Sequence, residues 1–369
     1  MSQIPVDDPL FEEFRLSGLE LENRVGLSPM TRISATETGR ATDQMAEYYA
    51  RFARGGFSFL ITEGIYTDEA HSQGYAGQPG LATDEQAASW EPVTDAVHEE
   101  DAPIIAQLMH AGPLVQGNRF VDRPIAPSEV PPKGEPLEAY GGSDEFATPR
   151  AMTDEDVEDV IEGFVDAARR AEDAGFNGVE IHGANGYLLD SFLTEYTNDR
   201  DDEYGGSPES RVRFPAEVVE AVREAVSEEF VVGIRISQSK VNDPDYRWSG
   251  EEEAETVFGA LSAAGVDYLH VTEAAITSPA FDSESGPTLS ELAARYGDVP
   301  VIANGGLTDP ELARDVLETG DADLLTLATG ALANPDWPQR VAEGRELDAF
   351  DPEETLQPDA SINEFELPE

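Results

Sequence analysis

A short segment near the middle of the chain concentrates neutral hydrogen-bonding side chains. His182, Asn185 and Tyr187 occur within six residues, directly after the apolar run from Gly178 to Ile181. An imidazole, a carboxamide and a phenol provide several hydrogen-bond donors but no strong nucleophile. This combination is typical of a site that binds a polarised oxygen and transfers a proton.

The apolar run before these residues predicts a buried strand, so the three side chains would lie at its C-terminal end. In a barrel enzyme, the C-terminal ends of the strands form the face where chemistry takes place. A lone histidine at a strand end is more often a hydrogen-bonded structural residue. Its combination with Asn185 and Tyr187 favours the functional interpretation of His182.

The segment from His182 to Phe214 reads HGANGYLLDSFLTEYTNDRDDEYGGSPESRVRF. The patterns H-x-A-N-G-Y-L-x-x-x-F-L and N-x-R-x-D-x-Y-G-G-S-x-E-x-R-x-R-F resemble the old yellow enzyme family of FMN-dependent ene-reductases. The resemblance extends from Phe11 to about Gly344. It implies a single (β/α)8 barrel with tightly bound FMN on its C-terminal face. It also implies NAD(P)H as reductant and, as substrate, an alkene activated by a carbonyl or nitro group.

The remaining pattern of apolar runs and helical spacings agrees with an α/β fold of this kind, a TIM barrel spanning residues 1–347. A hairpin of Phe14–Leu16 and Leu19–Leu21 would seal the barrel bottom, and a polar, proline-rich excursion of residues 112–150 follows the third strand. Residues 348–369 form an acidic tail that lacks the tyrosine-rich ending common in the family. The predicted strands are Arg24–Leu27, Phe57–Thr62, Ile104–Leu108, the run before His182, Phe230–Ile236, Tyr268–Val271, Val299–Ala303 and Leu324–Ala328; the predicted helices are Asp43–Arg54, Asp84–Glu99, Thr153–Ala174, Ser207–Ser227, Gly250–Ala264, Asp309–Glu318 and Pro335–Glu343.

Two strand ends are candidates for binding the FMN phosphate. The seventh strand ends in Asn304, Gly305 and Gly306, and the eighth ends in Ala328 and Thr329. Barrels commonly hold phosphate with backbone N–H groups at these two ends. Two glycines after a strand are by themselves more often a simple turn, but the resemblance assigns all five residues to cofactor binding. Relatives carry Gly-Arg where this chain has Ala328-Thr329, so we expect weaker FMN retention.

Further residues are assigned to the flavin ring by the resemblance. Arg235 would face flavin N1 and O2, where negative charge accumulates on reduction, and Gln107 would face the pyrimidine edge. From the residues alone, Arg235 could equally be a surface-facing or ion-paired arginine, and Gln107 a satisfied core amide. Four more residues would line the ring, with the threonine donating toward O4: Pro29, Met30, Thr31 and Gly64.

The resemblance also distributes the substrate roles. His182 and Asn185 would donate to the carbonyl or nitro oxygen, and Tyr187 would protonate the α-carbon. Tyr75 and Met109 would contact the substrate, with a wider pocket than in relatives that carry tryptophan at the methionine position. We interpret His110 as structural and the segment from Asn198 to Arg213 as a loop braced by buried ion pairs.

Two rival functions remain open. Relatives with the same barrel demethylate amines, with flavin as the hydride acceptor. A phosphate-binding barrel without flavin, such as an aldolase, is the second rival. An aldolase usually needs a Schiff-base lysine, and neither Lys133 nor Lys240, the only two lysines, follows a strand end directly.

Composition limits the remaining possibilities. The chain has 369 residues, no cysteine, and 76 acidic against 23 basic residues, for a formal net charge of -53. The absence of cysteine excludes disulfides, thiolate metal sites and cysteine-ligated iron–sulfur clusters, and we expect no metal. The acidity argues against nucleic acid and anionic membranes as partners. No long apolar or basic N-terminal segment occurs, so we expect a cytoplasmic protein. A monomer and a homo-oligomer are both compatible with the sequence.

The acidic residues are spread along the chain, which favours a solvated acidic surface and a salt-requiring, halophilic protein. The screening length falls from about 10 Å at 0.1 M salt to about 3 Å at 1 M, so salt should relieve the self-repulsion of the folded state. We therefore expect the melting temperature to rise with KCl concentration up to the molar range. Equal melting temperatures at low and molar KCl would contradict this expectation.

Overall fold

Eight parallel strands close into a barrel in the computed structural model, which describes residues 8–142, 145–281 and 285–367. In chain order the strands are β1 (Phe14–Leu16), β2 (Leu19–Leu21), β3 (Val25–Leu27), β4 (Phe59–Ile61), β5 (Ile65–Tyr66), β6 (Ile104–Met109), β7 (Ile125–Ala126), β8 (Arg150–Ala151), β9 (Gly178–Asn185), β10 (Val231–Lys240), β11 (Tyr268–Thr272), β12 (Val301–Asn304) and β13 (Leu324–Leu327). The barrel order is β3-β4-β6-β9-β10-β11-β12-β13, and β13 pairs with β3 to close it. The predicted (β/α)8 barrel is confirmed.

Helices cover the outside of the barrel. They are α1 (Asp43–Arg54), α2 (Asp84–His98), α3 (Asp154–Asp173), α4 (Leu188–Leu193), α5 (Pro208–Arg211), α6 (Arg213–Ala225), α7 (Glu251–Ala263), α8 (Leu289–Tyr296), α9 (Pro310–Thr319), α10 (Thr329–Ala333), α11 (Trp337–Glu343) and α12 (Pro352–Thr355). Short 3-10 helices occupy Pro9–Phe11, Gly112–Leu114, Glu138–Tyr140 and Glu364–Glu366. The N-cap residues Thr83 and Thr153 each accept a hydrogen bond from the third helical N–H, which fixes the starts of α2 and α3.

The hairpin seals the N-terminal end of the barrel, as predicted. β1 pairs with β2 in the antiparallel register Phe14 to Leu21. Its Leu16 and Leu21 pack in one buried cluster with side chains that point into the barrel from six of its strands: Phe59, Ile61, Ile105, Val231, Tyr268, Ile302 and Leu324. The interior is therefore filled with side chains below the open end.

Three differences from the predicted elements have physical causes: the length of β10, the division of one helix, and the additional helix α8. Strand β10 continues to Lys240, beyond the predicted end at Ile236, because the polar residues that follow still pair with β9 after a register shift. The helix predicted from Ser207 to Ser227 is divided into α5 and α6. Pro215 cannot donate to the carbonyl of Arg211, and the division falls within the turn that lacks this hydrogen bond.

Helix α8, between β11 and β12, was not predicted. It buries Leu289, Leu292 and Ala293 against the barrel, and Thr288 forms a capping box with Glu291. The pattern Thr-x-x-Glu before an apolar residue could have revealed this start. The glycine and proline that directly precede it are typical of a loop.

None of the helices in the described residues is long and apolar enough to cross a membrane. Within the same ranges, no group of three or more histidine, cysteine or acidic side chains is placed to hold a metal ion.

A buried ion pair braces the loop between β9 and α5, which confirms this interpretation of the Asn198–Arg213 segment. Arg211 pairs with Glu253 of α7, and both side chains are almost fully buried. The same guanidinium donates to the carbonyls of Leu193 (2.9 Å) and Gly206 (2.6 Å). The arginine therefore ties three segments of the chain together.

Replacing one partner of this pair would leave an uncompensated buried charge. We expect Glu253→Gln to lower the free energy of unfolding by about 3–5 kcal/mol. Glu252→Gln, at the exposed neighbouring position of α7, makes the same charge change and should have little effect. Denaturant unfolding of both variants measures the difference, and equal stabilities would show that the buried pair contributes nothing.

Candidate active site

A cavity of about 220 Å³ opens at the C-terminal end of the barrel. It contains all three predicted catalytic side chains and most of the predicted cofactor residues. The residues that line it are Pro29, Met30, Thr31, Arg32, Gly64, Gln107, Met109, Tyr140, His182, Asn185, Tyr187, Arg235, Val241, Ala328, Thr329, Leu332, Phe350 and Leu356.

Strand β9 and helix α4 position the three neutral polar side chains. His182 and Asn185 belong to β9, and Tyr187 is the residue immediately before α4. Asn185 adopts a left-handed backbone conformation (φ 64°), which asparagine tolerates better than most residues. The chain turns at Asn185, the last residue of β9. The rings of His182 and Tyr187, on either side of this turn, pack edge to face with 5.0 Å between their centroids.

The protonation states of these residues follow from their burial. Desolvation, with the positive charge of Arg235 nearby, lowers the pKa of His182 to about 3, so the imidazole is neutral at physiological pH. Its Nδ1 accepts the backbone N–H of Ala184 at 3.3 Å, which leaves the hydrogen on Nε2. Burial raises the pKa of Tyr187 well above that of a free phenol. Both groups are therefore hydrogen-bond donors across the neutral pH range.

Tyr75 lies behind Tyr187 and does not line this cavity. Its hydroxyl is hydrogen-bonded to the hydroxyl of Tyr187, and its ring lies 5.0 Å from that of Tyr140. Thr31 lies close enough to Tyr140 to counteract, in part, the rise in the pKa of Tyr140 that burial causes. The two tyrosines join the proposed proton donor to the segment that follows β3.

Arg235 is buried at the end of the barrel among neutral partners. It donates to Ser28 (3.2 Å), Thr272 (3.1 Å) and Asn304 (2.9 Å). Among the described residues, no carboxylate lies within ion-pairing distance of its guanidinium. Desolvation lowers its pKa to about 10, opposed by the charge of Glu180, so it remains positively charged.

Glu180 supplies the nearest compensating charge from deeper in the barrel. Its carboxylate contacts His270 (2.7 Å), Tyr268 (3.0 Å) and Gln107 (2.8 Å). Burial raises the pKa of Glu180, but His270 and Arg235 outweigh that effect and hold it below its usual value. The bond from the amide nitrogen of Gln107 also fixes the orientation of that carboxamide.

The residues predicted to bind phosphate are arranged in two ways. Ala328 and Thr329 line the cavity, whereas Asn304 turns its side chain inward, accepting from Arg235 and donating to the carbonyl of Thr326 (2.9 Å). Gly305 has φ 130°, and a Cβ there would lie 1.8 Å from the carbonyl oxygen of Glu273. Gly306 is exposed, so the turn after β12 is open and not blocked by packed side chains.

The sequence did not identify six residues that line the cavity: Arg32, Tyr140, Val241, Leu332, Phe350 and Leu356. Arg32 directly follows Thr31, and that position could have been a signal. Tyr140 lies in the long polar excursion, and Phe350 and Leu356 lie in the acidic tail. No local pattern marks these three residues, because only tertiary packing brings them to the barrel mouth.

Two other titratable residues are structural, as their surroundings show. His110 is fully buried, and its Nδ1 accepts the N–H of Gly112 (3.0 Å) outside the cavity. This agrees with the structural role expected for it. The ammonium of Lys240 is buried 2.5 Å from Asp190, so this lysine is not free to form a Schiff base.

The donor set of the cavity fits a flavin ring. A guanidinium charge without a direct carboxylate partner suits the N1 and O2 edge, which becomes negative on reduction. A Cβ at Gly64 would lie 2.6 Å from the sulfur of Met109, so only glycine allows this close packing at the cavity wall. Arg235, Gln107 and Thr31 would hold the ring, and Thr329 with the open Gly305-Gly306 turn would lie toward the phosphate.

The comparison with known proteins agrees with this geometry. The family model described as NADH:flavin oxidoreductase / NADH oxidase matches residues 9–348. An NADH oxidase of Thermoanaerobacter brockii is 34% identical over 345 residues, which cover 91% of this chain and 51% of that protein. The chain thus spans about half the length of this curated relative.

Solved structures share the whole barrel. The old yellow enzyme homologue from Zymomonas mobilis superposes with a TM-score of 0.86 at 31% identity, covering 97% of this chain and 98% of that one. Morphinone reductase in complex with tetrahydroNAD has a TM-score of 0.82 at 32% identity, covering 94% and 93%. The match to this family confirms the predicted FMN cofactor. The chain belongs to the NADH:flavin oxidoreductase / NADH oxidase family, the family of the old yellow enzymes.

Proposed function

We propose that this protein is an ene-reductase, which uses NAD(P)H to reduce the C=C bond of alkenes activated by a carbonyl or nitro group. The observation that carries this proposal is the placement of three neutral donors, His182, Asn185 and Tyr187, in the cavity that contains Arg235. FMN held by Arg235, Gln107 and Thr31 would supply the hydride that the β-carbon of the alkene accepts. The protein must then bind the substrate oxygen and deliver one proton.

His182 and Asn185 bind the substrate oxygen. The hydrogen on Nε2 of His182 is available because Nδ1 accepts from the backbone, and the low pKa keeps the ring neutral. A neutral donor stabilises negative charge on the oxygen as it develops, without giving up its proton. These two hydrogen bonds withdraw electrons from the alkene and make the β-carbon electrophilic.

Tyr187 provides the proton for the α-carbon. Its pKa is raised by burial, so the proton is present at neutral pH and is transferred only to a carbon that has become strongly basic. The hydroxyl of Tyr75 contacts the oxygen that loses this proton. A hydrogen bond at that oxygen stabilises the phenolate that forms.

Arg235 stabilises the negative charge that develops on the pyrimidine edge of the ring, and Asn304 supports it from behind. Thr329 occupies the position of the arginine that relatives place near the phosphate. A hydroxyl offers one neutral hydrogen bond where a guanidinium offers a charge-assisted pair. We infer weaker retention of FMN than in relatives that have the arginine.

Removing the hydroxyl of Tyr187 should separate the two half-reactions. We expect Tyr187→Phe to leave the reduction of the flavin by NAD(P)H unchanged but to slow turnover of weakly activated alkenes by about 10²–10⁴-fold. Stopped-flow absorbance of the flavin measures each half-reaction. Tyr204→Phe, which removes a hydroxyl bonded to Glu217 outside the cavity, serves as the control.

Unchanged alkene turnover in Tyr187→Phe would contradict the proposed role of the phenol. The same assay tests the rival function of an amine demethylase. If the protein were a demethylase, an N-methyl amine would reduce the flavin, and cyclohexenone would fail to reoxidise the reduced flavin. The proposal requires the opposite result with both substrates.

A further inference from the structure

The C-terminal segment, residues 348–367, packs across the mouth of the cavity. Phe350 and Leu356 line the cavity, and Ala360 and Ile362 are buried. The composition of this segment suggested only an acidic tail. Its contacts instead make it part of the wall that encloses the site.

Arg32 is the centre of these contacts. Its side chain is fully buried, and its Nη1 and Nη2 donate to the two carboxylate oxygens of Glu366 at 2.7 and 2.5 Å. The remaining donors contact the segment's backbone, Nε at the carbonyl of Ala360 (2.9 Å) and Nη2 at that of Ser361 (3.0 Å). Every nitrogen of this guanidinium is therefore bound by the C-terminal segment.

Glu366 also binds a second arginine. Nη2 of Arg51 lies 3.2 Å from its Oε1, and Nη1 of Arg51 donates to the backbone carbonyl of Glu366. Both guanidinium groups lie against the ring of Tyr48, at 4.9 and 4.8 Å from its centroid. One buried carboxylate thus pairs with two largely buried guanidinium groups, so its loss would leave both without this ion-pair partner.

The segment and Arg32 are hydrogen-bonded to three stretches of chain that lie next to residues of the cavity wall. Arg32 follows Thr31, and its backbone N–H donates to Glu63, the residue before Gly64, at 2.9 Å. The N–H of Ala360 donates to the carbonyl of Ala139 (2.8 Å), next to Tyr140. The N–H of Ile362 donates to Ser34 at 2.8 Å. The position of Thr31 is consequently fixed from both its own strand end and the C-terminal segment.

We propose that Glu366 is a positioning residue, which anchors the C-terminal segment over the barrel mouth and thereby sets the position of Thr31 and the retention of FMN. This inference rests on the proposed place of the flavin ring in the cavity. It assigns a function to the tail that involves no contact between Glu366 and the cofactor. The anchor acts through Arg32 and through the wall that Phe350 and Leu356 complete.

Simple electrostatics makes the opposite prediction for a change at this position. FMN carries a negative phosphate, so removing an acidic side chain should tighten its binding if charge alone mattered. Glu364 is exposed, lies two residues earlier, and carries the same charge. Comparing Glu366→Gln with Glu364→Gln therefore holds net charge constant and isolates the buried contacts.

The experiment measures FMN dissociation by flavin fluorescence in apoprotein reconstituted with FMN, well below the melting temperature of each variant. We expect Glu366→Gln to raise the dissociation constant at least tenfold and Glu364→Gln to leave it unchanged. In Glu366→Gln, limited proteolysis should cut within residues 348–366 while the barrel stays intact. At saturating FMN, the visible absorption band should shift toward that of free FMN, an effect that a purely structural role would not produce.

An unchanged FMN dissociation constant in Glu366→Gln would overturn the inference, whether or not the segment becomes accessible to protease. If that variant does not fold, Arg51→Gln keeps the pair of Arg32 with Glu366 and should show a smaller loss of FMN affinity in the same direction. Equal FMN affinity in Arg51→Gln and the wild type would then overturn the inference. Failure of the wild-type apoprotein to bind FMN would instead contradict the proposed function itself.

Discussion

The site depends on a positive charge that is held in the barrel without a direct acidic partner. Burying a guanidinium is costly unless its donors are satisfied, and Arg235 meets this requirement with hydroxyl, imidazole and carboxamide groups. The compensating carboxylate of Glu180 lies one layer deeper and binds His270 and Gln107. The charge is therefore stabilised by the protein's own side chains and still available to a ligand edge that becomes negative.

The same charge shapes the acid–base properties of its neighbours. Burial together with Arg235 lowers the pKa of His182 to about 3, so the imidazole beside the substrate position stays neutral. The phenol of Tyr187 keeps its proton for a different reason, because burial disfavours the charged phenolate and raises the pKa. The charge of Arg235 thus favours hydride acceptance at the ring and helps to keep His182 neutral, whereas desolvation alone keeps Tyr187 protonated.

The sequence predicted those parts of the site that lie within local motifs. His182, Asn185 and Tyr187 share one strand end, and the alternation of apolar runs and helices determined the barrel. It could not predict Tyr140 or the contacts of Glu366, because Tyr140 reaches the cavity, and Glu366 reaches Arg32, from polar segments with no periodicity. Asn304 was predicted to be a cofactor residue, but its side chain faces Arg235, an orientation that depends on packing between β11, β12 and β13.

The reduction potential of bound FMN tests the central role of Arg235 most directly. Because 30 mV corresponds to about 1.4 kcal/mol for a two-electron couple, loss of a charge-assisted hydrogen bond should lower the potential by roughly 30–60 mV. We expect this decrease in Arg235→Gln relative to wild type, measured by dye equilibration at saturating FMN. A potential that is unchanged or higher in the variant would contradict a stabilising charge at the edge of the ring.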